Sequence, residues 1–131
     1  MRELFVRRKA RFDLVNGRVL IVDPKRPRMV TLDSWLELVF QLADGERTLG
    51  QIIEHVAHAY DGQMPAGLDQ QVIDIVECLV GEGFLELVLA SKALPSYLAQ
   101  AISQQDPAEA KAAMIRDEFI TSKEKQGDAA H

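Results

Sequence analysis

The chain has 131 residues, 47% of them apolar, and a formal net charge of −5 at pH 7. That is room for one ordinary domain around a single core, and it is too apolar for a wholly disordered chain. No apolar run approaches the ~20 residues of a membrane-spanning helix, and the N-terminus lacks the apolar segment and cleavage site of a signal peptide. The one cysteine, Cys78, excludes an internal disulfide and fits a reducing compartment, so the expectation is a cytoplasmic protein with Cys78 as a buried thiol on a helix.

The charge is unevenly placed. Residues 1–31 carry nine basic and three acidic groups, a balance of +6, while residues 32–131 carry six basic and seventeen acidic groups, a balance of −11. A basic face on an acidic body is able to steer an acidic partner. Within the basic region, Arg11–Val15 and Arg18–Asp23 flank Asn16-Gly17, a strong hairpin signal because both turn positions need positive φ. Pro24, Lys25, Arg26 and Pro27 then break the chain, and Arg28–Leu32 reads as a third short strand. Two prolines just upstream suit a sheet edge, whose free N–H and C=O groups must be either protected or used.

Helices follow. Ser34-x-x-Glu37 is read as a capping box ahead of Trp35, Leu36, Leu38, Val39, Phe40 and Leu42, with Asp44-Gly45 as the stop. Thr48-x-x-Gln51 opens a second helix with Leu49, Ile52, Ile53, Val56 and Tyr60 on one face. After a loop through Asp61-Gly62 and Pro65–Gly67, a third helix is expected from about Asp69 to Val80, then a terminal strand over Phe84–Leu89. On the third helix Leu68, Val72, Ile73, Ile75, Val76, Leu79 and Val80 span about 160°, wider than the ~100° that one core requires. The extra width either packs on the terminal strand or floors a groove beside the edge strand. Residues 1–90 therefore read as one domain and 91–131 as a helical extension with a frayed tail. Its helix opens at Asp106-Pro107-Ala108-Glu109, with Ala108, Ala112, Ile115 and Phe119 on one side and Met114 nearby. That helix could pack on the domain, pair two copies in a homodimer, or tether a partner.

The helix–turn–helix–strand order over 48–88 has the layout of a winged helix, but nothing there suits DNA. The third helix presents Asp69, Gln70, Gln71, Asp74, Glu77 and Glu82, and no Lys or Arg lies between Thr48 and Ala90. Carboxylates oppose a phosphate backbone that binds by releasing its cations. No membrane partner is expected. Catalytic chemistry is missing too. His55 and His58 lie one turn apart without a third ligand at metal spacing, Ser34 and Ser91 have no partnered base, and no phosphate loop is present. No metal, cofactor or enzymatic activity is expected.

In this order the chain resembles the PqqD-like family, also called the RiPP recognition element, small binding domains of ribosomal peptide biosynthesis. The resemblance rests on Arg18–Pro24, Met29-Val-Thr-Leu32, Leu42-Ala-Asp-Gly-Glu-Arg-Thr48, Ile52-Ile53, Tyr60, the run Val72–Leu79 and Gly83-Phe-Leu85, and covers residues 11–88. The chain departs from the family at Asp33, where Asn is common, and in the tail beyond residue 90, which shorter members lack. The resemblance implies an α+β, winged-helix-like domain with an N-terminal three-stranded antiparallel sheet packed on three helices. It also implies a non-catalytic adaptor that binds the leader segment of a precursor peptide by strand addition and presents it to a separate maturation enzyme (a radical SAM protein, a cyclase or a protease). On that carry-over Met29, Val30, Thr31 and Leu32 form the strand rail, with either Val30 and Leu32 or Met29 and Thr31 facing the core. Val72, Ile75, Val76 and Leu79 line the helix side, and Lys25, Arg26 and Arg28 attract acidic leader residues. The alternatives are a winged-helix transcription regulator and a structural dimerisation subunit.

Overall fold

The computed structural model describes residues 1–60 and 65–119; the Asp61-Gly62 part of the expected loop and the polar tail from Lys123 lie outside the described residues. The α+β class holds, with two small sheets in place of one. Strands β1 (Phe5–Arg8), β2 (Phe12–Val15), β3 (Arg18–Val22), β4 (Met29–Thr31), β5 (Asp44–Thr48) and β6 (Leu85–Val88) form antiparallel sheets of order β5-β1-β6 and β2-β3-β4. The second of these is the expected N-terminal sheet, closed at Asn16 (φ 53°) and Gly17 (φ 77°) as the turn chemistry requires.

The β5-β1-β6 sheet contains two strands that local pattern does not announce. β1 turns Val6 and Arg8 into the core and leaves Phe5 and Arg7 half-buried, but the run Arg7, Arg8, Lys9 masks that alternation as a solvated arm. β5 occupies the segment read as a helix stop followed by a cap. It does both, leaving the first helix at Ala43 and capping the second at Thr48, and in between it pairs with β1 through a register shift. Gly45 makes this possible: its φ is +81°, and a side chain there would collide with the Lys92 carbonyl.

Three helices pack on these sheets: α1 (Ser34–Leu42), α2 (Leu49–His58) and α3 (Leu68–Gly81). The cap of α1 is Asp33 rather than Ser34, since the Asp33 carboxylate accepts from Leu36 N at 3.1 Å. Glu37 instead bonds Arg18 Nε at 3.1 Å. At α2 the expected capping box forms, Gln51 N donating to Thr48 Oγ1 and Thr48 N to Gln51 Oε1. On α3, Leu68, Val72, Val76 and Leu79 are buried. Cys78 is exposed, contrary to expectation. It sits two residues beyond Val76, about 200° round the helix and so on the far side from the core.

The extension continues as α4 (Ser96–Ala99), a 3₁₀ turn (Ile102–Gln104) and α5 (Pro107–Arg116), which Asp106 caps from N-cap with Pro107 at the first position as expected. Its inward face is Ala110 and Met114, with Ala113 and Phe119 half-buried; Ala108 and Ala112 are exposed. Four alanines give the sequence little directional preference, so the facing Tyr97 and Leu98 decide which side of α5 packs. No described helix is long and apolar enough to cross a membrane.

Arg8 joins the extension to the domain. Only 7% exposed, its guanidinium donates to Gln41 O (2.8 Å), Phe40 O (3.2 Å) and Leu98 O (3.0 Å), and lies over the Phe12 and Phe40 rings at 5.4 and 5.7 Å. Burial makes the cation easier to deprotonate, but an arginine keeps its proton at any ordinary pH. One charge thereby satisfies the last carbonyls of α1 and those of α4, placed where the partial negative charge of a helix end accumulates. Around it Ala101 enters the main core, and Lys92 N donates to Gly45 O at 2.9 Å.

Replacing Arg8 with Met keeps the packing but strands these carbonyls. The expected loss is about 3 kcal/mol in urea unfolding, with faster amide exchange over 96–101. A second expectation concerns pH. Tyr97 donates its O–H to Asp117 Oδ2 at 3.0 Å, and burial, then this bond, push the phenol up to about 12. A folded value above the ordinary ~10 gives a contribution fully present below pH ~10 and lost as pH rises through the folded value. Tyr97→Phe should therefore flatten the loss of stability that the unmodified protein shows over that interval. A profile unchanged by the substitution would remove the role of this contact.

Candidate functional site

The β2-β3-β4 sheet ends at β4, which pairs with β3 through Leu20↔Thr31, Ile21↔Val30 and Val22↔Met29 and with no other strand among the described residues. Val30 is half-buried and Leu32 buried, whereas Met29 (49% exposed) and Thr31 face outward, so the strand's inward face is the Val30 and Leu32 one. The bond from Asp23 N to Arg28 O (3.0 Å) sets the phase of the ladder. In an antiparallel pair, bonded and non-bonded positions alternate, so Arg28 and Val30 direct their peptide groups at β3 while those of Met29 and Thr31 point away from the sheet. The rail available to an added strand is the backbone of Met29 and Thr31.

α3 packs against α1, which follows this edge directly after Asp33. Its first half, with the start of α1, encloses a cavity of about 340 Å³ whose apolar lining is Trp35, Leu36, Leu68, Val72 and Ile75, and whose polar rim is Asp33, Gln71 and Asp74. Ile75 and Val72 thus line a cavity that touches Asp33, two residues beyond the strand. Val76 and Leu79 are sealed in the main core and do not line this cavity. The over-wide apolar arc divides accordingly, one part facing the core and Ile75 turned toward the groove. Trp35, 40% exposed and stacked on Tyr60 at 6.4 Å with rings nearly parallel, and Leu36 are groove residues that the helical pattern had assigned only to packing. The lone tryptophan at the start of a helix, directly after an edge strand, was the available signal.

The basic residues of the β3–β4 loop hold the start of β4. Asp23 accepts from Lys25 N (2.9 Å) and from Arg28 Nε (2.8 Å), and Lys25 Nζ donates to Gly81 O at 3.1 Å. Arg26 and Arg28 both lie just under 4 Å from Glu82. The backbone N–H of Lys25 first, then the Arg28 guanidinium, hold the Asp23 carboxyl below the usual carboxylate range. Lys25 and the two arginines therefore fasten the loop to the C-terminal end of α3, where cations are favoured. Arg26 keeps the most freedom, its side chain 58% exposed and its partners at 3.8 and 3.9 Å. At the opposite end Arg18 Nη2 bonds Leu32 O at 2.6 Å, and Arg18 Nε bonds Glu37. The structure thus brings Val72 and Ile75 together in a cavity that also touches Asp33, two residues beyond β4, but that no residue of Met29–Thr31 lines; Lys25, Arg26 and Arg28 instead gather at the C-terminal end of α3.

The described residues contain no group of three His, Cys, Asp or Glu side chains able to hold a metal ion. What this side of the molecule offers is free main-chain groups at β4 and an apolar pocket between α1 and α3. No curated protein and no solved structure matches the chain. A family model does match: that of Coenzyme PQQ synthesis protein D (PqqD), over residues 18–85, which runs from β3 to the start of β6 and includes the whole groove. With just over half of its length so matched, the chain belongs to the PqqD family.

Proposed function

We propose that the chain is a non-catalytic adaptor that holds the leader segment of a ribosomally made precursor peptide and presents the rest of that peptide to a separate maturation enzyme. The observations that carry this reading are the open β4 edge and the pocket of Trp35, Leu36, Leu68, Val72 and Ile75 that begins at Asp33, two residues beyond it, all within the stretch matched to the family. An extended peptide would add to Met29 and Thr31 by main-chain bonds, which are indifferent to sequence. One side chain seated in the pocket would supply selectivity. A cavity of about 340 Å³ admits an aliphatic or aromatic anchor. The contribution to biosynthesis is effective concentration, because a tethered leader makes the encounter of core segment and enzyme intramolecular. A cytoplasmic location goes with this reading.

Two experiments test it, both with synthetic leaders taken from short reading frames beside the gene. Amide exchange at residues 28–32 should slow when the cognate leader is added. Thr31→Pro removes an N–H that points away from β3 and leaves the β3–β4 ladder intact, so binding measured by fluorescence anisotropy should fall at least about tenfold, the loss of one or two main-chain bonds. Leader affinity indifferent to Thr31→Pro would exclude strand addition at β4. The second test is electrostatic. Arg26→Glu, which spares the Asp23–Arg28 bond, should slow association most at low salt. A rate unaffected at any ionic strength would remove Arg26 from the recognition of acidic leader residues.

A further inference from the structure

A second concavity lies between the first strand and the extension, and reaches Val22, Pro24 and Lys25 where the β3–β4 loop begins. It measures about 930 Å³ and is walled by β1 and its link to β2, by the β3–β4 loop, and by the segments that open and close the extension. Its cationic lining residues are Arg7, Arg8, Lys9, Arg11, Lys25 and Lys92, against the carboxylates of Glu86, Asp117 and Glu118. Six basic groups facing three acidic ones make a local excess of three positive charges on a chain whose net charge is −5.

The partners already present do not use up these cations. Arg8 is committed to its carbonyls, and Lys25 to Gly81 O. Arg7, by contrast, reaches Glu86 Oε1 only at 3.4 Å, and Arg11 reaches Gln105 Oε1 only at 3.5 Å. The Nε atom of each is buried with no hydrogen-bond partner among the described residues. Such orphaned donors are uncommon in a folded protein and ask for an acceptor. On the acidic side, Asp117 is already engaged by Tyr97 and Arg116. Lys9 and Lys92 are exposed and form no ion pair among the described residues.

We infer that this cleft is a docking site for an acidic polypeptide segment, distinct from the pocket between α1 and α3, with which it shares no lining residue. The cations sit on three separate stretches of chain, residues 7–11, Lys25 and Lys92, and are spread along the walls of the cleft. That distribution suits several carboxylates in series better than one small anion. A guanidinium is a planar donor that a carboxylate meets well, and the terminal Nη groups of Arg7 and Arg11 hold only long bonds, to Glu86 and Gln105. Tyr97, Met114 and Phe119 give the cleft an apolar side against which the stems of glutamate side chains can lie. In an adaptor such a site would engage a second protein while β4 is occupied, but the inference stands on the cleft alone and does not need the leader groove.

Fluorescein-labelled octaglutamate added to the full chain at low salt is the probe. Saturable binding is expected, with amide shifts at 7–11, 92–98 and 114–119, and Lys9→Gln/Lys92→Gln should weaken it roughly three- to tenfold. Both lysines are exposed, so the fold is retained. Arg26→Gln, at the end of the β4 groove, should leave the affinity unchanged. Absence of binding, shifts confined to 28–32, or equal affinity in the double variant would overturn the proposal. So would displacement of the probe by inorganic phosphate at matched ionic strength, which would make the cleft a small-anion site. Thr31→Pro distinguishes the two sites: loss of leader binding with octaglutamate binding intact would leave both assignments standing, and the reverse pattern in the lysine variant would do the same.

Discussion

One buried guanidinium organises this molecule. Arg8 stands where the end of α1, the end of α4 and two aromatic rings converge, and each of these groups presents negative potential. A peptide carbonyl at a helix terminus has no partner inside its own helix, and burying it unpaired is costly. A methyl-bearing residue at this position would leave several such carbonyls dry. The cation instead lets α1 end inside the protein and lets the extension lie on β1, which brings β5 and β6 to either side of that strand. The core formed by Val6, Phe40, Leu49, Ile52 and Val76 is then closed along one side by backbone carbonyls that Arg8 helps to satisfy.

The groove depends on a different division of labour. α3 serves two surfaces: Val76 and Leu79 belong wholly to the core, while Ile75 and part of Val72 line the pocket. Its acidic outer face, including Asp69 paired with Arg2 at 2.7 Å, has no cation to offer a nucleic acid. The helix that a winged helix would set in a DNA groove here lines a small apolar cavity with α1. The outermost strand of the β2-β3-β4 sheet is only three residues long, short enough to remain an accessible edge without being a broad aggregation surface.

Much of this was legible because some residues act locally. Asn16-Gly17 fixes a hairpin whatever surrounds it, Thr48 and Gln51 cap each other, and Asp106-Pro107 opens α5. The edge character of β4 followed from Pro24 and Pro27, and the inward face of β4 was settled only by packing. What was not legible depends on long-range contact. β1 looks like a solvated basic arm until Arg8 finds carbonyls from residues 32 to 91 positions away. β5 looks like a cap until β1 lies beside it. Asp33 outcompetes Ser34 as the cap of α1 because Glu37, the expected reciprocal partner, is held by Arg18. The groove residues Trp35 and Leu36 were hidden for the same reason: a helix pattern shows that a residue is apolar, not which neighbour stands opposite.

The fastenings at the two ends of the groove have a consequence for timing. Arg18 secures the Leu32 end to α1, and Lys25 with Arg28 secures the other end to the close of α3, so the spacing between the two walls is set before any guest arrives. A receptor already in its bound shape contributes little of its own ordering cost, and nearly all of that cost falls on the flexible guest. Such pairings have moderate affinity and short residence times, because the guest regains its freedom on leaving. In the adaptor role proposed above, quick release would be as useful as capture, and rigid walls would provide both.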